Sequence, residues 1–235
     1  MQIIVKGDAH RMVAPDQIVA SVTFHEHADS YDEVLQKGVQ LVKDYFNFIE
    51  ENTDFAATDF KTNAYNIREE FTTNRIEAKT EEDLSKNLTK RVSDGFFFTQ
   101  YAYLKFDYNK ERLSKLLVLT SKTEGAPRFH ISFQLKDPKS YERGLIGDAY
   151  HDAQLKAETL AAAADKHLRD CIRVNIDNIN ARDDLDFGAV RMEKASFRGA
   201  AGPSIEEQMQ TIDDTFHPDD IPIFKSIEVV WETSD

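Results

Sequence analysis

Two histidines one residue apart, His25 and His27, come closest in this sequence to the pattern of a chemical site. They end a run of alternating apolar and polar residues, which is typical of a β-strand. Because alternate residues of a strand point to the same face, the two imidazoles are placed to share a metal ion. The sequence pattern offers no third residue that would complete a metal site with them. Two interpretations therefore stay open, a weak candidate metal site and two exposed histidines at a strand end.

The other reactive residue types predict no chemistry. Cys171 is the only cysteine, and we expect it in a buried strand over Cys171–Ile176, without a partner for redox chemistry. His167 is expected near the end of a helix, where a charged histidine is stabilised by the helix dipole. The acidic segments 177–180 and 183–188 do not fit a calcium-binding loop. No catalytic or cofactor-binding residue is predicted.

The composition excludes two kinds of partner. The 235 residues carry a net charge of −13, which repels nucleic acid. No apolar run approaches the ~20 residues that span a bilayer, so membrane insertion is not expected. The chain passes from Met1 directly into a strand-like run without a signal peptide, which predicts a cytoplasmic location.

Alternation and capping signals predict an α+β fold in a single domain, residues 1–235. Two strand–helix–strand halves, at about 18–71 and 96–136, are expected to form a mixed, mainly antiparallel sheet covered by helices. Ser30 and Asn109 are predicted N-caps for the two helices. Terminal strands are expected at Gln2–Lys6 and Ile223–Glu232.

The strand Gly95–Tyr108 is aromatic on both faces. Phe96, Phe98 and Leu104 share one face, and Phe97, Tyr101 and Tyr103 share the other. Such a strand is either central and covered on both sides, or has one face held by a second subunit. This segment favours self-association.

Two polar segments interrupt the pattern. Thr72–Asp94 is predicted to be a projecting hairpin tip or excursion, with a short helix around Glu81–Arg91. Asn180–Pro218 is predicted to be polar and irregular.

A long alanine-rich helix is predicted over Pro138–Leu168, with Asp137 as its N-cap. An ion pair between Asp165 and Arg169 is expected to prolong it. Its apolar stripe, which we expect to cover the sheet, consists of Ile146, Ala149, Ala153, Ala157, Leu160, Ala164 and Leu168.

Short motifs in a fixed order carry a resemblance over nearly the whole chain. They are Val5-Lys6-Gly7, Pro15-Asp16, Phe60-Lys61-Thr62, Gly95 before an aromatic strand, Phe133 before Asp137, Asp152-Ala153, Lys156-Ala157-Glu158 and Leu160-Ala161. In this order and spacing the chain resembles the SIMPL-domain family. The resemblance implies an α+β fold, homo-oligomers and an association with oxidative-stress protection, with no established activity.

The sequence leads to one principal hypothesis, a non-enzymatic, self-associating protein with a role in stress protection or scaffolding. One alternative is a metal-binding or hydrolytic enzyme that uses His25 and His27. Another alternative is a signalling adaptor that binds a protein partner through Thr72–Asp94.

Overall fold

The computed structural model describes residues 1–75, 89–123, 125–176, 190–191, 204–215 and 217–234. The α+β class is confirmed, with mainly antiparallel strands and one long helix. The strands are β1 (Gln2–Val13), β2 (Gln17–Ala28), β3 (Lys61–Arg75), β4 (Thr89–Asp107), β5 (Arg128–Gln134), β6 (His167–Asn175), β7 (Val190–Arg191) and β8 (Ile221–Ser234). The helices are α1 (Tyr31–Asn52), α2 (Lys110–Lys122), α3 (Pro138–Ala163) and α4 (Ile205–Thr215), and Ala57–Asp59 forms a short 3-10 helix.

The strands predicted for one sheet are divided between two sheets, and the chain divides into two compact units. The terminal unit comprises Met1–Gln17, Phe133–Gly188 and His217–Asp235, and the central unit comprises Ile18–Ser132 and Ala189–Phe216. The first sheet has the strand order β1-β8-β6, and the second has the order β3-β4-β2-β5-β7. All four strands of the two predicted halves lie in the second sheet.

The terminal unit is built on the contact between α3 and the sheet of β1 and β8. The helix buries one residue per turn, and these residues pack against a cluster of apolar residues on β1 and β8. The buried residues of the helix are Leu145, Ala149, Ala153, Ala157 and Ala161, and the facing residues are Ile3, Val5, Ile227, Val229 and Trp231. Ala149, Ala153 and Ala157 are fully buried, so the alanine stripe lies on the sheet as expected.

The two ends of the predicted stripe were wrong. Leu145 is buried instead of Ile146, and Leu160 is 51% exposed. The helix ends at Ala163, because Asp165 adopts a φ of +55° that stops helical propagation. His167 and Leu168 therefore belong to strand β6, and the predicted prolongation through Asp165 and Arg169 was also wrong.

In the central unit, helix α1 packs on the sheet at strand β4. Ser30 caps α1, since its hydroxyl accepts a hydrogen bond from the backbone N–H of Glu33 at 3.3 Å. Gly38 of α1 lies directly on the ring of Phe98, which is fully buried. The Asn109 cap of α2 is also confirmed, with the N–H of Arg112 at 3.0 Å. The predicted Asp137 cap of α3 bonds the N–H of Ser140 at 3.1 Å.

The predicted excursion Thr72–Asp94 is in part regular structure. Strand β3 continues to Arg75, and β4 begins at Thr89, so both ends of this segment are paired strand. The short helix predicted over Glu81–Arg91 was wrong at its end, because Thr89–Arg91 belong to β4. Its remainder lies outside the described residues.

Two further expectations were corrected. Cys171 is exposed rather than buried, because β6 lies at the edge of its sheet. Asn180–Pro218 is not irregular throughout, since it contains β7 and the helix α4. Segments 177–180 and 183–188 lie outside the described residues. None of the helices described is both long enough and apolar enough to span a bilayer.

Candidate functional site

Strand β4 has one buried face and one accessible face. Phe98, Ala102 and Leu104 are 0–2% exposed beneath the helices. On the other face, Phe97 and Tyr103 are half-buried, and Tyr101 is 44% exposed. The second aromatic face predicted from the sequence is therefore available to a partner.

The neighbouring strands extend this accessible surface, which we call the open face. Residues paired across an antiparallel ladder share a face, and Arg68 pairs with Phe97, Asn66 with Thr99, Ala64 with Tyr101 and Lys61 with Tyr103. The open face includes Lys61, Ala64, Asn66, Arg68 and Glu70 of β3, Phe97, Thr99, Tyr101, Tyr103, Lys105 and Asp107 of β4, His25 and His27 of β2, and Arg128 of β5.

Both predicted histidines lie on the open face. The ring of His27 is 4.5 Å from that of Phe97, and its Nε2 lies 2.5 Å from the carbonyl oxygen of Asp94. The Nδ1 of His25 lies 3.3 Å from the hydroxyl oxygen of Thr99. Within the described parts of the chain, no group of three His, Cys, Asp or Glu residues is placed to hold a metal ion. The metal site therefore stays a prediction.

The rim of the open face carries charges of both signs, since Glu70 pairs with Arg68 at 2.5 Å and Asp107 is exposed beyond Lys105. Lys61, Arg68, Lys105 and Arg128 are exposed, and the Lys105 ammonium lies 5.5 Å from the centre of the Tyr103 ring. Burial lowers the pKa of His25, and the nearby guanidinium groups of Arg128 and Arg68 lower it further. The sequence did not point to Arg68 and Arg128, because the order of the strands that brings them beside His25 could not be read from it.

A pH prediction follows from His25. Its pKa lies below the ordinary 6.5 in the folded protein, so the unfolded chain takes up the proton first as the pH falls. The stabilising contribution of neutral His25 is therefore present above pH 6.5 and is lost as the pH falls toward the folded pKa. We expect His25→Gln to lose less thermal stability than wild type between about pH 7.5 and about pH 5.5.

Melting temperatures across that pH range measure the effect. His151→Gln is the control for loss of an imidazole, since His151 is exposed on α3. An equal pH dependence in wild type and His25→Gln would show that His25 does not contribute.

In the terminal unit, two charged residues of α3 bind the outer edge of β1. The carboxylate of Asp152 accepts a hydrogen bond from the backbone N–H of Asp8 at 2.8 Å. Lys156 donates to the carbonyl oxygen of Lys6 at 3.0 Å and pairs with Asp152 at 2.7 Å. The hydrogen bonds from Lys156 and from the Asp8 N–H lower the pKa of Asp152, and Asp152 raises the pKa of Lys156.

These bonds have a structural consequence for the sheet. An unpaired strand edge is a template for another chain, and α3 occupies the backbone groups of Lys6 and Asp8 at that edge. The opposite edge, β6, has register shifts on both sides of Cys171, and bulges of this kind disfavour edge pairing. The middle of β1 and the irregular strand β6 are therefore poor templates for pairing with another chain.

The absence of a side chain at Gly7 allows α3 to pack closely on β1. A Cβ at Gly7 would lie 2.6 Å from the Cβ of Ala153 and still closer to the carbonyl oxygen of Ala149, so only glycine fits. Asp16 anchors the chain just after β5, because its carboxylate accepts a hydrogen bond from the backbone N–H of Lys136 at 2.8 Å. Gly95 has a φ of +93°, which other residues rarely adopt.

Comparison with protein families identifies the chain. A family model described as a protein of unknown function (DUF541), the SIMPL family, matches residues 3–218. The chain belongs to the SIMPL family. No curated protein matches it.

The residues that carry the SIMPL resemblance form contacts of the fold. Gly7 and Ala153 bring helix and strand together, Asp152 and Lys156 bind the strand edge, and Asp16 anchors the end of β5. Their roles follow from packing and backbone hydrogen bonds. These residues of the SIMPL signature therefore specify architecture.

Proposed function

We propose that this SIMPL protein is a non-enzymatic, self-associating protein in which the open face is the contact between copies. The observation that carries the proposal is the second aromatic face of β4. Tyr101 is 44% exposed, and Phe97 and Tyr103 lie beside it. Accessible aromatic side chains at the centre of a surface, with charges at its rim, are typical of protein interfaces.

The distribution of polar groups supports a binding role over a catalytic one. Enzyme sites hold polar groups in preorganised, water-excluding surroundings. Among the described residues, the buried polar side chains are Ser114 and Thr120, and Thr120 bonds the hydroxyl of Tyr45 and the carbonyl oxygen of Leu116. These bonds hold α1 and α2 together, so Thr120 serves the packing of the central unit.

The terminal unit supports the same assignment. Because the edge of β1 is occupied by Asp152 and Lys156 and the edge of β6 is bulged, neither edge favours a β-sheet continued between copies. A contact through the face of the other sheet is the better candidate. In the cell, such an assembly would act as a scaffold or in stress protection, as the family resemblance implies.

The test is the molar mass of purified variants, measured by light scattering at micromolar concentration. We expect wild type to exceed the 26.9 kDa of one chain. Tyr101→Glu places a charge in the contact and is expected to raise the dissociation constant about tenfold or more.

Tyr65→Glu is the matched control. Tyr65 lies on β3 with 49% of its surface exposed, and its ring packs on Phe98 at the opposite face of the sheet, 5.2 Å between centroids. We expect it to associate as wild type does. A wild type that remains at 26.9 kDa contradicts self-association, and equal effects of the two substitutions contradict the open face as its site.

A further inference from the structure

Strand β3 forms an unpaired edge of the central sheet. It pairs with β4 along one side, and it stands first in the order β3-β4-β2-β5-β7, so no other described strand lies along its second side. The residues from Lys61 to Asn66 are exposed, as are Arg68 and Glu69. Alternate residues of such an edge direct backbone N–H and C=O groups away from the sheet, where another extended backbone can pair with them in register.

The pairing of β3 with β4 is regular over Ala64–Glu70. Register shifts lie on either side of this segment, between Thr62 and Ala64 and between Glu70 and Phe71. The segment has the ordinary length of a strand, and it offers a regular edge of roughly 20 Å. In the terminal sheet, by contrast, side chains of α3 occupy the middle of β1, and β6 is irregular.

Aromatic side chains lie beside this edge on the face that carries α1. The ring of Tyr65 packs edge-on against Phe98 at 5.2 Å between centroids, and that of Tyr31 packs edge-on against Phe96 at 6.0 Å. Burial raises the pKa of Tyr65, and the nearby Tyr31 raises it further, so the two tyrosines are neighbours. Each exposes about half of its surface. We call Tyr31, Tyr65 and the half-buried Ile67 the ledge.

A strand added to β3 would place alternate side chains on the ledge. Successive residues of a strand point to opposite faces, so every second residue of the added segment would lie on the side of Tyr65 and Ile67. Cross-strand pairs of aromatic and aliphatic side chains stabilise a sheet. Charge does not select the partner, because Arg68 pairs with Glu70 at 2.5 Å and Glu69 accepts a hydrogen bond from Ser93.

The same edge of a second copy fits this site poorly. Two copies that used the whole of Ala64–Glu70 in antiparallel pairing would be related by a two-fold axis at Ile67, the middle residue. Tyr65 of each copy would then lie opposite Glu69 of the other, and Ala64 opposite Glu70. Apolar side chains would meet carboxylates, whereas the ledge favours apolar neighbours.

We propose that the edge Ala64–Glu70 binds an extended segment of a different protein by β-strand addition. Apolar residues at alternate positions of that segment pack on the ledge, and the backbone hydrogen bonds to β3 supply the affinity. The inference goes beyond the proposed function and does not depend on it. The contact between copies is assigned to the open face, so the edge of β3 remains accessible in the assembled protein.

A designed peptide tests the proposal with the full chain. The probe is a fluorescent peptide of about nine residues, in which valine alternates with threonine between terminal lysines. Its control has the same side chains and a methyl group on every backbone nitrogen of the alternating part, which removes the hydrogen-bond donors. By fluorescence anisotropy, we expect wild type to bind the probe at micromolar concentrations and the methylated control at least about tenfold more weakly.

Tyr65→Glu and Tyr101→Glu are the matched pair of variants. Both place a carboxylate at a tyrosine that is similarly exposed, one on the ledge and one on the open face. Tyr65→Glu is expected to weaken binding of the probe about tenfold, and Tyr101→Glu is expected to bind it as wild type does. Circular dichroism confirms that each variant is folded. Should Tyr65→Glu not fold, the comparison of the two peptides with wild type decides alone.

The outcomes identify the occupant of the edge. Hydrogen exchange at Ala64–Glu70 should slow when the probe is added and stay unchanged when the protein alone is concentrated. Protection by concentration alone would make a second copy the occupant and overturn the proposal. So would equal binding of the two peptides, loss of binding in Tyr101→Glu rather than Tyr65→Glu, or no binding of the probe by wild type up to about 1 mM. Binding of the probe by a wild type that stays at 26.9 kDa supports strand addition while contradicting self-association.

Discussion

Gly7→Ala is expected to destabilise the protein by about 3 kcal/mol, the upper range for overpacking a close contact. The added methyl group would lie 2.6 Å from the Cβ of Ala153 and 2.7 Å from its backbone nitrogen. Because these are atoms of a fully buried helix residue, the contact can be relieved only by moving α3 away from β1. Urea unfolding of the variant and of wild type measures the difference.

Gly144→Ala is the control for this substitution. Gly144 lies on α3, and a Cβ there meets no atom within 4 Å. Alanine is the better helix former by roughly 1 kcal/mol, so this variant should be more stable than wild type. If Gly7→Ala were as stable as wild type, the close approach of α3 to β1 would not hold the terminal unit together, and the structural account of the family signature would fail with it.

Gly38→Ala is expected to destabilise the central unit by about 2 kcal/mol, although alanine favours the helix. A Cβ at Gly38 would lie within 2.6 Å of the ring of Phe98, which is fully buried. Phe98→Ala removes that ring at a cost of about 4 kcal/mol. In the Phe98→Ala background the steric conflict is gone, and Gly38→Ala should become neutral or stabilising.

A double-mutant cycle measures this reversal of sign. It compares the free energy of unfolding of wild type, the two single variants and the double variant in urea. The same destabilisation by Gly38→Ala in both backgrounds would show that the ring is not what limits the residue at position 38. Should Phe98→Ala not fold, the Gly38→Ala variant alone still decides whether α1 needs a glycine at this contact.

Local sequence signals predicted the elements well. The caps at Ser30, Asn109 and Asp137 were confirmed because a capping side chain bonds backbone groups three residues away. The two aromatic faces of β4 were predicted because a strand has a strict period of two. Signals of this kind need no knowledge of distant parts of the chain.

The elements that depended on distant contacts were less predictable. The helix stripe was misassigned between Leu145 and Ile146, because both satisfy spacings of three and four residues and only the strand beneath selects one. The end of α3 was missed because it depends on the left-handed backbone of Asp165, which aspartate adopts only in some contexts.

Which strands and helices become neighbours could not be predicted from the sequence either. Asp152 and Asp8 are joined across 144 positions of the chain, and the alternation of β1 and β8 does not say which strands become neighbours. The open face was foreseen for Phe97, Tyr101 and Tyr103, but its cations were not. Arg68 and Arg128 come from strands that meet only through the order β3-β4-β2-β5.

Hydroxyl-radical footprinting of Tyr101 and Tyr65 in the same sample tests the central claim most directly. The two tyrosines are similarly exposed in one chain, at 44% and 49%, so each calibrates the other. As the protein is concentrated, the open-face contact predicts that modification of Tyr101 falls severalfold while that of Tyr65 stays constant. Equal modification at all concentrations, or protection of Tyr65 alone, would contradict the assignment of the open face as the contact between copies.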